Sequence, residues 1–150
     1  MLRFYKDPPT NKILHRVDGP AVEMDNGDKH WYLNGKLHRI DGPAIVWNDT
    51  GAENWFQYGV AHRVGAPAVV HDRCLIWYFR GKLHRLDGPA VMQRATWEAT
   101  FVIQEYWING IRYPCAVSYN KAVARWLSYR EVTRDEVTSL IGNFRIVGWE

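Results

Sequence analysis

Short apolar runs alternate with polar, turn-forming clusters along residues 11–113, and the alternation is periodic. Segments such as Ala44-Ile45-Val46-Trp47 and Trp77-Tyr78-Phe79 are rich in β-favouring residues and are bounded by turn signals. Asn34-Gly35 and Asn109-Gly110 tolerate the positive φ that tight hairpins demand. Asp-Gly-Pro at Asp18, Asp41 and Asp87 marks a second kind of corner. There Gly supplies flexibility, while Pro fixes φ and withholds a ladder donor. Each unit therefore reads as two short strands and two turns. One such hairpin is marginal in water, so the units must fold as a stack. The predicted fold is mainly β: an elongated antiparallel sheet of stacked β-hairpin repeats with a ~23-residue period, closed by a C-terminal helical cap.

Two interlocked motifs carry the period. His-Arg-x-Asp-Gly-Pro-Ala begins at His15, His38, His62 and His84, at intervals of 23, 24 and 22. An aromatic motif runs in phase, at Trp31-Tyr32, Trp55-Phe56, Trp77-Tyr78 and Tyr106-Trp107, each followed by a Gly three residues after the second aromatic. The third corner is degenerate, with Gly65 in place of Asp and Ala66 in place of Gly. The last unit is longer, and its surplus lies within Met92–Thr100, an extended hairpin or protruding loop that carries Trp97. After Pro114 the pattern changes. Asn120–Leu127 reads as an amphipathic helix, and Thr133-Arg134-Asp135-Glu136 has capping-box spacing before Val137, Leu140 and Ile141. Residues 1–113 are thus predicted to form the repeat sheet, and 114–150 a helical cap packed on it.

Composition narrows the class. At 150 residues, with 47% hydrophobic and 23% charged residues, the chain is one globular domain's worth of protein. Net charge is only +3, so no basic tail for nucleic acid shows itself. Cys74 and Cys115 form no disulfide framework and no metal-ligand spacing, which favours a reducing compartment. The N-terminus lacks the apolar core of a leader, and no window reaches the ~20 apolar residues of a membrane helix. A soluble, cytoplasmic protein is expected.

Lys36-Leu37-His38 through Gly42-Pro43-Ala44, and Lys82-Leu83-His84 through Gly88-Pro89-Ala90, resemble MORN-type repeats of the bacterial and phage branch. The resemblance covers residues 11–113. Members of that type place Gly directly after the His, whereas Arg16, Arg39, Arg63 and Arg85 stand there here. The resemblance implies a hairpin-stacked sheet with binding duties and no particular reaction. It also implies host-cell cytoplasm if the chain is phage-encoded.

The histidine series does not converge on a metal. Equivalent residues of stacked hairpins lie about 10 Å apart, far beyond one zinc ion's reach. Corner packing or backbone bonding is the expected role of His15, His38, His62 and His84. Arg16 with Asp18, Arg39 with Asp41 and Arg85 with Asp87 read as corner braces, leaving Arg63 the freest of the four. Trp31, Trp55, Trp77 and Tyr106 should point to one sheet face, and Tyr32, Phe56, Tyr78 and Trp107 to the other. Unless the helical lid or curvature covers both, one column is then expected to be exposed, as interaction surfaces are. There is no Walker loop, Gly-x-Ser-x-Gly, His-Glu-x-x-His or Cys-x-x-Cys, and Cys74 reads as a buried, inert thiol.

These readings predict no catalytic residue, metal or cofactor. The expected function is a non-catalytic scaffold that binds another protein through Tyr32, Phe56, Tyr78, Trp107, Arg63 and Trp97. A phage-encoded inhibitor of a host defence protein is one specialisation compatible with the resemblance. The alternative is a small-ligand, nucleotide or single-stranded nucleic-acid binder on the same aromatic and Arg-rich face, which the low net charge disfavours. Exposed sheet edges leave room for a homodimer paired edge to edge.

Overall fold

A computed structural model describes residues 3–4, 13–96 and 100–129. It is mainly β, with antiparallel hairpins and one C-terminal helix. β1 (Arg3–Phe4), β2 (Val22–Glu23) and β3 (Lys29–His30) open the main sheet, and β4 (Tyr32–Leu33) pairs with β5 (Lys36–Leu37) as a separate ribbon. The second round is β6 (Ile45–Val46) and β7 (Glu53–Asn54), then the ribbon β8 (Phe56–Gln57) and β9 (Val60–Ala61). The third is β10 (Val69–His71) and β11 (Cys74–Ile76), then β12 (Tyr78–Phe79) and β13 (Lys82–Leu83). The fourth is β14 (Val91–Arg94), the long β15 (Phe101–Ile108) and β16 (Ile111–Tyr113). Main-sheet order is β1-β2-β3-β6-β7-β10-β11-β14-β15-β16, so each repeat adds strands at the growing edge.

Each of the first three full units therefore carries two hairpins, where the sequence predicts one. The bend between them sits at Trp31, Trp55 and Trp77. These tryptophans donate their amides to Ala44 O, Ala68 O and Ala90 O on the main-sheet side. Their carbonyls accept from His38 N, His62 N and His84 N on the ribbon side. One residue cannot serve both directions within a flat strand, so the chain turns there. In the fourth unit β15 runs unbroken through Tyr106 and Trp107. The expected extended hairpin is present, with Arg94 opposite Phe101 and a register shift between Gln93 and Arg94.

The ribbons also bond to one another. Gly35 N donates to Leu14 O, and Arg16 N to Tyr32 O. Two steps on the earlier unit thus face three on the later one, which is a β-bulge. The same bonds recur for Gly59 with Leu37, Gly81 with Ala61 and Gly110 with Leu83. Asn34-Gly35 and Asn109-Gly110 form the positive-φ turns that their sequence demands. Tyr58-Gly59 and Arg80-Gly81 adopt the same conformation, although φ is +50° at Tyr58 and +49° at Arg80. Bulky residues rarely accept that region, so tertiary contacts must hold it.

The core is thin and made largely of alanine. Ala21, Ala44, Ala68 and Ala90, the last residue of each corner motif, are fully buried. Each donates its amide into the main sheet, to His30 O, Asn54 O, Ile76 O and Glu105 O respectively. At the outer turns, Asp28 is buried and accepts from Asn48 N and Asn26 Nδ2, both at 2.8 Å.

α1 (Ala116–Tyr129) begins four residues before the predicted Asn120 start. Tyr119, Ala122, Val123 and Trp126 fall at i, i+3, i+4 and i+7 and pack on Leu86, Ile108, Tyr106 and Tyr113. Tyr119 is the anchor that fixes the first turn, and its partners lie more than thirty residues upstream. The predicted capping box at Thr133–Glu136 and the helix through Val137, Leu140 and Ile141 lie outside the described residues. No described helix is long and apolar enough to cross a membrane.

Candidate interaction site at the repeat corners

Every motif histidine has the same job. His15, His38, His62 and His84 use Nδ1 to accept the amide of Asn34, Tyr58, Arg80 and Asn109, at 3.0–3.1 Å. Those amides are the ones the bulge leaves without a carbonyl, and those residues are the ones held at positive φ. The imidazole thus completes the next unit's turn. An acceptor Nδ1 requires the neutral ring with its proton on Nε2. Ring contacts follow the same path: His38 to Tyr58 at 4.2 Å, His62 to Phe79 at 5.0 Å, and His84 to Trp126 at 5.8 Å.

Burial, reinforced by the positive Arg80, holds the His62 pKa below the usual 6.5. Burial does the same at His30, where Asp28 opposes it. Between the folded and unfolded values the unfolded chain binds more protons, so stability rises with pH. This contribution is complete above about 6.5 and is lost as pH falls through the folded value. Melting temperature is therefore expected to drop between about pH 7.5 and 5. His62→Gln, which keeps an acceptor and removes the titration, should flatten that slope; parallel melting curves for the two proteins would refute it.

The arginines brace the corners. Nε of Arg16, Arg39 and Arg85 donates to Asp18, Asp41 and Asp87 at 2.8–3.1 Å. A terminal nitrogen reaches the carbonyl of Pro20, Pro43 and Pro89. The carboxylates of Asp18 and Asp41 are held below their ordinary pKa range by these hydrogen bonds. Arg39, Arg63 and Arg85 also lie over the rings of Trp31, Trp55 and Trp77, with Cζ 3.8–4.2 Å from the centroid. Gly19, Gly42 and Gly88 are not at positive φ, so flexibility is not their role. A Cβ on Gly42 would stand 2.6 Å from Arg39 Cζ, and on Gly19 2.9 Å from Arg16 Cζ. A side chain at these positions would push the guanidinium aside.

Arg63 lacks the carboxylate partner of the other three but is still held in place. It stacks on Trp55 at 3.8 Å and donates to Pro67 O at 3.1 Å. Burial pushes its pKa down, against the opposing charge of Glu53. The third corner makes room differently: Gly65 takes φ +72°, and Ala66 follows. Gly65→Asp alone is expected to cost about 1–2 kcal/mol, because a side chain is forced into the left-handed region. Adding Ala66→Gly should recover most of that loss in urea melts, by restoring the geometry of the other corners. Additive costs would disprove the coupling.

The two aromatic columns do not divide into one wet and one dry. Trp31, Trp55, Trp77 and Tyr106 are half-buried, and so are Tyr32, Phe56, Tyr78 and Trp107. Guanidinium stacking covers one column, and ribbon-to-ribbon pairing brings the other together. Trp97 lies outside the described residues. The exposed apolar row is elsewhere, at the variable position of the corner motif: Val17 is 83% exposed, Ile40 71%, Val64 40% and Leu86 9%. Apolar residues at one step of four otherwise polar corners were the signal for it in the sequence. Between the first two corners lies an open groove of about 510 Å³, lined by Val17, Gly19, Trp31, Leu33 and Ile40 among others. At the fourth corner the matching groove of about 390 Å³ has Tyr119 as one wall.

Other chemistry is sparse. Cys74 is half-buried, and burial raises its pKa. Cys115 is exposed, with its thiol pKa lowered by hydrogen bonds at Ser118. Among the described residues no group of His, Cys, Asp and Glu side chains is placed to hold a metal ion. No protein-family model, curated protein or solved structure matches the chain.

Proposed function

We propose that this chain is a non-catalytic, MORN-type repeat scaffold that binds another protein. The observation that carries the reading is the row Val17, Ile40 and Val64, exposed at the corners and in register with the covered Leu86. An exposed apolar row gains from being covered. The neighbouring Trp and Arg side chains are the residue types that anchor interfaces. Tyr32, Phe56 and Tyr78 on the ribbons and Trp107 on β15 offer a second, half-buried column.

A phosphate or single-strand binder draws less support. The guanidiniums of Arg16, Arg39 and Arg85 already engage carboxylates and proline carbonyls, so recruiting them would break the corners.

Capture from a bacterial lysate compares the wild type with Val17→Glu/Ile40→Glu and with Tyr32→Ala/Tyr78→Ala. The expected result is a partner lost from the corner variant. Loss only from the tyrosine variant would move the interface to the aromatic column. Identical capture by all three, or none by any, would defeat the scaffold reading.

A further inference from the structure

Three of the four corners seat a carboxylate in the same place. Asp18, Asp41 and Asp87 each set Oδ1 2.8–3.1 Å from the Nε of the arginine two residues earlier. In the first two corners that aspartate is 85% exposed, so the seat lies at the surface, where a group from another molecule can reach it. The third corner keeps the arginine without the acid. Arg63 lies over Trp55 and donates to Pro67 O, the two contacts that also place Arg39 and Arg85. Among the described residues no carboxylate meets its Nε, and that atom is not sealed from solvent. Gly65, standing where the aspartate would, is exposed and has no side chain to fill the seat. The surroundings add positive charge. Arg80 is exposed, its amide is bonded to His62, the residue before Arg63, and its charge acts on that imidazole. Glu53 opposes the charge of Arg63, but its Oε2 is already bonded to Trp55 Nε1.

We propose that the third corner receives an aspartate or glutamate side chain of a partner protein, its carboxylate on Arg63 Nε where the other corners seat their own. The assignment rests on the scaffold reading and names the charge of the partner. Val64, 40% exposed, lies next to the seat and offers an apolar contact to the residue beside that acid. An exposed ion pair usually contributes little, because two flexible side chains must be ordered to form it. Here Trp55 and Pro67 O have already ordered the guanidinium, so that part of the cost falls away. A guanidinium fork matches a carboxylate in shape as well as charge. The three filled corners select a carboxylate over a phosphate, since each is occupied by one.

The test labels the arginine side chains of the full-length protein and follows the four corner Nε–H signals by NMR. A capped Leu-Asp-Leu tripeptide is expected to move the Arg63 signal saturably, while those of Arg16, Arg39 and Arg85 stay, their carboxylates being in place. Capped Leu-Asn-Leu should bind about fivefold more weakly, having lost the charge. Added salt should narrow that gap. Gly65→Asp/Ala66→Gly gives the third corner the residues of the others and fills the seat from within. In that variant the Arg63 signal should join the other three, and the tripeptide should no longer shift it.

An Arg63 signal indifferent to the tripeptide, or equally responsive to its asparagine form, overturns the proposal. So does a folded double variant whose Arg63 signal stays where it was. Tighter binding of inorganic phosphate than of the tripeptide would give the seat to a phosphate, and a dimer of the protein alone that Gly65→Asp/Ala66→Gly dissolves would give it to a second copy; both likewise overturn it. The wild-type titration decides even if the double variant fails to fold. The lysate comparison is independent: a partner lost from Val17→Glu/Ile40→Glu while Arg63 stays silent sinks this site and leaves the scaffold standing.

Discussion

Tyr119→Ala is expected to destabilise the protein by about 3–5 kcal/mol, the usual cost of truncating a buried aromatic. The residue is 2% exposed and contacts the rings of Tyr106 and Tyr113, at 5.0 and 6.3 Å between centroids. Its removal opens the space between the fourth corner and α1, and strands Arg85 O and Gly88 N without the hydroxyl. Tyr119→Phe keeps the ring and should cost only about 1–2 kcal/mol, the share of the two hydrogen bonds. The phenol pKa is pushed up to about 12, mainly by burial, so the hydroxyl stays protonated and able to donate at any ordinary pH. Urea denaturation of the three proteins gives both differences. If the alanine variant fell within about 1 kcal/mol of the wild type, α1 would be a passive appendage and not the end-stop of the stack.

The second large effect comes from making a core residue bigger. Ala44→Leu should cost about 1–3 kcal/mol, with comparable losses at Ala21, Ala68 and Ala90. At these four positions the corner crosses into the main sheet, each side chain is fully buried, and the alanine backbone is hydrogen-bonded to the sheet. A leucine there must displace its neighbours or turn off-rotamer. Ala95→Leu, at an exposed position, is the control and should stay within about 0.5 kcal/mol. Equal stability of Ala44→Leu and the control would mean that alanine at the end of the motif is incidental to the stacking.

Much of this architecture was legible because the chain repeats itself. Two motifs in phase announced stacked hairpins, and Asn34-Gly35 and Asn109-Gly110 announced their turns. The Arg–Asp spacing of two announced a brace, and each of the three pairs is bonded as that spacing implies. The second hairpin of each unit was not legible. It depends on Trp31, Trp55 and Trp77 bonding main-sheet alanines with one backbone group and ribbon histidines with the other, at separations of seven and thirteen residues. The glycines of the corners were misread for a related reason. They look like flexible turn residues, and only the folded chain shows that the guanidinium lies close against them.

The candidate site divides in the same way. Arg63 looked free because its carboxylate is missing, yet Trp55 and Pro67 O hold it in place. The aromatic columns looked like one exposed and one buried face, because strand alternation is all a sequence can offer. In the folded chain both are half-buried, and the exposed apolar row belongs to the corners. Which of four equivalent corners is covered is a tertiary fact, set by where α1 lies.

By itself, the order of residues determined the repeating unit, its turns and the local braces, since those depend on groups a few positions apart. Only the assembled structure decided which surfaces stay open. The same apolar step is bare at Val17 and sealed at Leu86, because burial depends on what packs against a residue from elsewhere in the chain.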